Sequence, residues 1–120
     1  MAHILVVDDE PDLRRYLSDE LRDEGHQVDM AADGVEAVLR AIDGGLDAVL
    51  MDIRMPRLDG LNALRLLRRM QPGLPVIMFT GQAGQGDMLE TTRLGAVTCM
   101  LKPVNVDRLK EVLSQAVRRN

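Results

Sequence analysis

Short apolar runs alternate with amphipathic stretches five times along the 120-residue chain. Ile4-Leu5-Val6-Val7, Ala48-Val49-Leu50-Met51 and Val76-Ile77-Met78-Phe79 are wholly apolar. Val28 to Ala32, interrupted by Asp29, and Thr98 to Leu101 are weaker versions of the same pattern. Runs without polar alternation predict strands covered on both faces. Between them the apolar residues recur with helical spacing. Leu13, Tyr16, Leu17 and Leu21 share a face, with Pro11 suited to the first turn. Val35, Val38, Leu39 and Ile42 form a second stripe, preceded by Asp33 and Glu36 in a capping-box arrangement. Leu61, Leu64, Leu67 and Met70 form a third. Residues 86–94 are the weakest helix, with Met88, Leu89 and Leu94 as their large apolar residues. Leu109, Val112, Leu113, Ala116 and Val117 form the fifth, with Asn105 as its cap. Stops stand at Gly25, Gly44-Gly45, Gln71-Pro72-Gly73 and Gly95.

The pattern is (βα)5, which predicts an α/β fold. Right-handed crossovers place helices on both faces of a parallel sheet. Five strands suit the flavodoxin-like, doubly wound order 2-1-3-4-5. The length fits one domain over residues 1–120, able to fold without a disulfide or metal staple. The single Cys99 can form no internal disulfide and fits a reducing, cytoplasmic setting. No apolar run reaches membrane-spanning length, and the N-terminus has no basic flank of a signal peptide. The net charge of −4 and the near absence of aromatics argue against direct nucleic-acid binding. The charge is uneven: residues 1–36 carry eleven acids and three arginines. The glycine-rich stretch from Gly81 to Gly86 reads as a mobile loop and does not match a P-loop, since no Gly-Lys-Ser/Thr follows.

In an open sheet of this order, ligands bind outside the carboxyl ends of the strands, where the strand order switches. Strand one ends in Asp8-Asp9-Glu10, strand three in Asp52, strand four in Thr80-Gly81 and strand five in Lys102-Pro103. Two carboxylates ~5 Å apart at an effective dielectric near 20 repel by roughly 3 kcal/mol. Three together need a counter-ion, and hard oxygen donors favour Mg2+ over zinc. With a phosphoryl group added, the set becomes a phosphoryl-transfer site: carboxylate nucleophile, metal, lysine and hydroxyl. Each residue alone has a bland reading. An Asp-Asp pair after a strand is often a helix cap, and Lys-Pro is often a solvated loop. Their shared position at one end of four strands is what points to chemistry.

Asp8-Asp9-Glu10-Pro11, Asp52-Ile53-Arg54-Met55-Pro56 with Asp59-Gly60, Thr80-Gly81, Gly95-Ala96 and Lys102-Pro103 resemble the receiver domain of two-component response regulators, the CheY-like family. The resemblance covers essentially the whole chain. It implies that Asp52 is the phosphoacceptor, taking a phosphoryl group from a sensor histidine kinase or a histidine phosphotransfer protein. It implies that Asp8, Asp9, Asp52 and the backbone carbonyl of Arg54 surround Mg2+, with Asp8 acting partly through metal-bound water. Lys102 pairs with Asp52 and then with a phosphoryl oxygen, and Thr80 turns its hydroxyl onto the phosphoryl group. Gly81 leaves access for water or donor, Arg54 and Gln82 tune the phosphoryl lifetime, and a cis bond is common before Pro103. The family usually carries Tyr or Phe three residues before the lysine as a switch partner of the threonine. Here that position is Cys99, which supplies no large ring, so either a neighbour fills the gap behind Thr80 or switching is coupled differently. The residue-level reading of Cys99 is a small buried core residue.

The implied function is a switch that exposes or hides a partner-binding surface, without turnover beyond its own phosphoryl group. The resemblance also admits a homodimer formed on phosphorylation, and a downstream target that the sequence does not name. Two alternatives stand beside it. A small Mg2+-dependent aspartyl phosphatase would place its nucleophile on the first strand in an Asp-x-Asp pattern, whereas Asp8 and Asp9 are adjacent. A receiver-like interaction domain that works without phosphorylation is supported by Cys99 alone. As given, the chain reads as a lone receiver, whether it stands alone or is cut from a longer regulator. His3 and His26 read as structural, the eight methionines as mostly core, and Arg65, Arg68 and Arg69 as a solvated face.

Overall fold

The computed structural model describes residues 1–81 and 85–118. Along the chain these form β1 (His3–Val7), α1 (Pro11–Asp23), β2 (Gln27–Ala31), α2 (Gly34–Ile42) and β3 (Ala48–Asp52). α3 (Gly60–Met70), β4 (Val76–Thr80), α4 (Gln85–Arg93), β5 (Thr98–Leu101) and α5 (Val106–Arg118) follow. The strands pair in parallel in the order β2-β1-β3-β4-β5. This is the flavodoxin-like order that the alternation predicts.

Alternation along each strand divides the core into two layers. Leu5, Val7, Val49, Met51, Val76 and Met78 pack with Ala37 and Ala41 of α2 and Ala63, Leu64 and Leu67 of α3. Ile4, Val6, Leu50, Ile77 and Phe79 pack with Leu17 and Leu21 of α1 and with Leu109, Val112 and Leu113 of α5. Every residue of β3 and β4 is buried. The edge strands β2 and β5 are only partly covered, which explains their weaker apolar signal. The register sets Asp52 beside Phe79 and Thr80 beside Leu101, so the carboxyl ends of β3, β4 and β5 open onto one edge.

Several caps and turns follow the expected chemistry. Asp33 accepts from Glu36 N at 2.9 Å, and Glu36 Oε1 accepts from Ala32 N at 3.2 Å, one residue earlier than in a regular capping box. Asn105 Oδ1 accepts from Arg108 N at 3.0 Å. Gly95 turns the chain into β5 at a φ of 86°, a conformation that strains other residues. His3 bonds Asp29 and His26 accepts from Ala2 N, so both histidines are structural.

The helix faces differ from expectation in an instructive way. In α2, Leu39 and Ile42 are 60% and 63% exposed, while Gly34, Ala37 and Ala41 face the core. The cause is close backbone approach: a Cβ on Gly34 would lie 2.1 Å from the Leu58 carbonyl oxygen. Bulky residues do not fit on that face. Tyr16, Met70 and Leu89 are likewise exposed, as are Met1 and Met30 among the methionines. Arg68 is only partly exposed; it donates to the carbonyl oxygens of Pro72 and Leu74 just past α3, and burial lowers its pKa. Of the glycine-rich stretch, Gln85 and Gly86 begin α4, while Gln82, Ala83 and Gly84 lie outside the described residues, as does Arg119. No helix among the described residues is long and apolar enough to cross a membrane.

Candidate functional site

The sheet order leaves a crevice at the carboxyl ends of β1 and β3, and the acidic residues sit there. Asp8 follows β1 and is 1% exposed. Its N–H donates to Ala31 O at 3.2 Å, its Oδ1 accepts from Glu10 N at 2.8 Å, and its carbonyl accepts from Arg14 Nη1 at 2.7 Å. The backbone is thereby locked with the carboxylate aimed inward, whereas neighbouring Asp9 is exposed. Asp52 closes β3 and is 4% exposed. Its Oδ1 accepts from Arg54 N at 3.3 Å.

Lys102 crosses the crevice from the end of β5. Its N–H donates to Thr80 O at 2.9 Å, and a cis bond joins it to Pro103. Its Nζ lies 2.8 Å from Asp52 Oδ2, 3.1 Å from Asp8 Oδ2 and 3.4 Å from Glu10 Oε1. Burial alone would lower the lysine pKa, but the hydrogen bond to Asp52 and then the adjacent Asp8 carboxylate hold it above its ordinary range. Burial also pushes the Asp8 carboxyl upward, against the opposing pull of the Glu10 N–H and of Lys102.

Asp8, Asp9 and Asp52 each offer a carboxylate oxygen within 4.8 Å of the others. One ammonium faces this group and Glu10, so negative charge is left in excess. Asp8 Oδ2 pairs with Lys102 by charge yet lacks a hydrogen-bond donor in good geometry. A buried carboxylate oxygen left this way is costly unless a further cation meets it. The donors are all hard oxygens, which suits Mg2+ or Ca2+ and not a thiolate-seeking metal. The residues present therefore fit a divalent cation.

Thr80 is fully buried at the end of β4. Gly81 beyond it is exposed, and a Cβ there would lie 3.8 Å from Lys102 Cδ, an ordinary contact. Cys99 lies on β5 opposite Met78, partly buried against the core that α2 and α3 cover. Burial pushes its thiol pKa up, which disfavours the reactive thiolate.

The contacts that fix the segment from β3 into the start of α3 are tertiary features. Arg57 adopts a φ of 66° and pairs with Asp33 at 2.7 Å and with Glu36 at 3.7 Å. The Glu36 N–H and then the Arg57 guanidinium hold the Asp33 carboxyl below its ordinary value. Gly60 admits the loop against the strand, since a Cβ there would meet Asp52 O at 2.1 Å. Arg54 reaches away from the crevice to Asp87 of α4, at 2.7 Å. Only Gly60 left a trace in the sequence, as the Asp-Gly pair. The others are contacts between residues at least 21 positions apart in the chain.

Residues 4–114 match the family model described as the response regulator receiver domain. The transcriptional regulatory protein TcrA of Mycobacterium tuberculosis is 41% identical over 119 residues, which is 98% of this chain and 47% of TcrA. The chain thus spans about half the length of that relative. Among solved structures, a response regulator receiver domain protein from Clostridium thermocellum superposes with a TM-score of 0.94 at 28% identity, covering 99% of this chain and 96% of that one. The receiver domain of NtrX from Brucella abortus gives a TM-score of 0.91 at 36% identity, covering 98% and 99%.

Proposed function

Because the chain belongs to the response regulator receiver domain family of two-component signalling, we propose that Asp52 is its phosphoacceptor and that the loaded aspartate operates a partner-binding switch. The observation that carries the reading is the meeting of Asp8, Asp9 and Asp52 within 4.8 Å, with Lys102 Nζ 2.8 Å from Asp52. Three strand ends, those of β1, β3 and β5, contribute to this cluster, and a fold has no structural need to bury like charges together.

In the forward step a carboxylate oxygen of Asp52 attacks the phosphorus of a phosphohistidine. The new O–P bond forms as the N–P bond breaks, and the imidazole leaves on the donor protein. The donor is a sensor histidine kinase or a histidine phosphotransfer protein. Water then attacks the phosphorus, restores the carboxylate and releases phosphate. Lys102 neutralises Asp52 beforehand and a phosphoryl oxygen afterwards. The Thr80 hydroxyl donates to the phosphoryl group, and Gly81 leaves the approach of water open. Asp8, Asp9, Asp52 and the Arg54 carbonyl would hold Mg2+, which supplies positive charge to the carboxylates and phosphoryl oxygens. We further propose that residues 1–120 act as one domain, in the cytoplasm, without turnover of any other substrate. Cys99 takes the position of the usual aromatic switch residue, so the Thr80 movement couples to the surface without a ring.

Incubation with acetyl phosphate and Mg2+, followed by intact-mass measurement, tests the reading. One added phosphate that hydroxylamine removes is the expected result, and Asp52→Asn should abolish it. An unmodified wild-type mass, or label that survives hydroxylamine, would overturn it.

A further inference from the structure

The helix beside the site buries little apolar surface and carries ion pairs to its neighbours. Among the described side chains of α4 no large apolar one is fully buried: Leu89 is 66% exposed, while Thr91 is fully buried with its hydroxyl donating to Met88 O at 2.8 Å. Its anchors to the rest of the molecule include two ion pairs. Arg54 of the β3–α3 loop meets Asp87 at 2.7 Å, and Arg65 of α3 meets Glu90 at 3.1 Å. Arg54 is also the residue whose N–H donates to Asp52 Oδ1. One residue thus touches the proposed phosphoacceptor through its backbone and the first turn of α4 through its side chain.

We propose that the Arg54–Asp87 pair is a charge latch that holds α4 in the unphosphorylated state, and that phosphorylation of Asp52 releases it by drawing the Arg54 guanidinium onto the phosphoryl group. The inference rests on the reading of Asp52 as phosphoacceptor. A phosphoryl group carries up to two negative charges and matches the planar guanidinium fork in geometry. The competing partner, Asp87, carries a single charge. The arginine is 67% exposed in its side chain, so the present pair is screened by water and weak enough to exchange. Arg65 lies on α3, so its pair with Glu90 anchors α4 without touching the acceptor. Linkage demands reciprocity: if loading Asp52 opens the latch, an opened latch must favour loading.

The test combines hydrogen exchange of α4 amides with binding of beryllofluoride in the presence of Mg2+, read by 19F NMR. Asp87→Asn and Arg54→Gln should each speed α4 exchange in the unliganded protein by roughly 1.5- to 5-fold, the range of an exposed pair. Beryllofluoride should speed α4 exchange in the wild type and add nothing further in either variant. Asp87→Asn should bind beryllofluoride tighter by a similar factor, and Arg54→Gln should lose that gain. Arg65→Gln should loosen α4 while leaving beryllofluoride affinity unchanged. Unaltered α4 exchange in Asp87→Asn, or a beryllofluoride response in Arg54→Gln equal to that of the wild type, would overturn the latch. If the wild type gave no bound 19F signal, the Asp52 reading and the release step would fall together, while the unliganded comparison would still decide whether the latch exists.

Discussion

At the scale of single residues, Gly60 and Asp29 show how position converts into energy. Gly60 has no room for a methyl, because its Cβ would meet the carbonyl oxygen of Asp52 and the Cα of Ile53, which are rigid backbone. Gly60→Ala is expected to cost about 1–3 kcal/mol, as overpacking does. It should also shift the loop that carries Arg54, so phosphoryl uptake should slow. Urea unfolding and the acetyl phosphate mass assay read the two effects. Asp29 sits between Arg40 Nε at 2.7 Å and His3 Nε2 at 2.8 Å. The Arg40 bond, then the His3 bond, lower its pKa below the ordinary 3.8. A carboxylate with a lowered folded pKa stabilises the fold fully above its unfolded value and loses that contribution as pH falls through the folded one. Asp29→Asn should therefore be less stable than the wild type near neutral pH, and the gap should close below about pH 4 in melts at a series of pH values. Asp29 is partly exposed, so solvent screening keeps the effect modest.

At the scale of elements, α2 separates what is bulky from what is buried. Its apolar stripe in sequence runs through Leu39 and Ile42, yet Ala37 and Ala41 make the contact. Ile42→Lys should leave stability within about 0.5 kcal/mol, whereas Ala41→Leu should lose roughly 1–3 kcal/mol in denaturant titrations. The contrast marks where the sequence is legible. β1, β3 and β4 could be read because strands buried on both faces carry unbroken apolar runs, here Ile4–Val7, Ala48–Met51 and Val76–Phe79. The residues after them could be read as a site because strand ends in a parallel sheet share an edge. The face of α2 could not, because alanine weighs little in an apolar pattern and close backbone approach is a tertiary fact. Arg54–Asp87 and Arg57–Asp33 were hidden for a related reason: each pairs residues 33 and 24 positions apart, with no local spacing to betray them.

For the molecule as a whole, the excess of negative charge at one edge sets the response to cations. Asp8 and Asp52 are held together by the folded sheet and scattered in the unfolded chain. A divalent ion should therefore bind the native state selectively and stabilise it by mass action. At tenfold over its dissociation constant, Mg2+ should add about 1.4 kcal/mol, a rise in Tm of several degrees for a domain of this size. Asp8→Asn and Asp52→Asn should each blunt the rise in a thermal melt with and without Mg2+. A Tm indifferent to Mg2+ would count against the cation site while leaving the fold untouched.

The β3–α3 loop is fastened at both shoulders, by Gly34 N to Leu58 O at 3.1 Å and by Gly60 N to Ile53 O at 2.8 Å. A segment pinned in this way gives up its conformational freedom when the chain folds, not when a visitor arrives. It behaves as a preformed socket. Arrival and departure at the acidic edge should then be paced by shedding and regaining hydration water, with no slow rearrangement of the main chain to wait for.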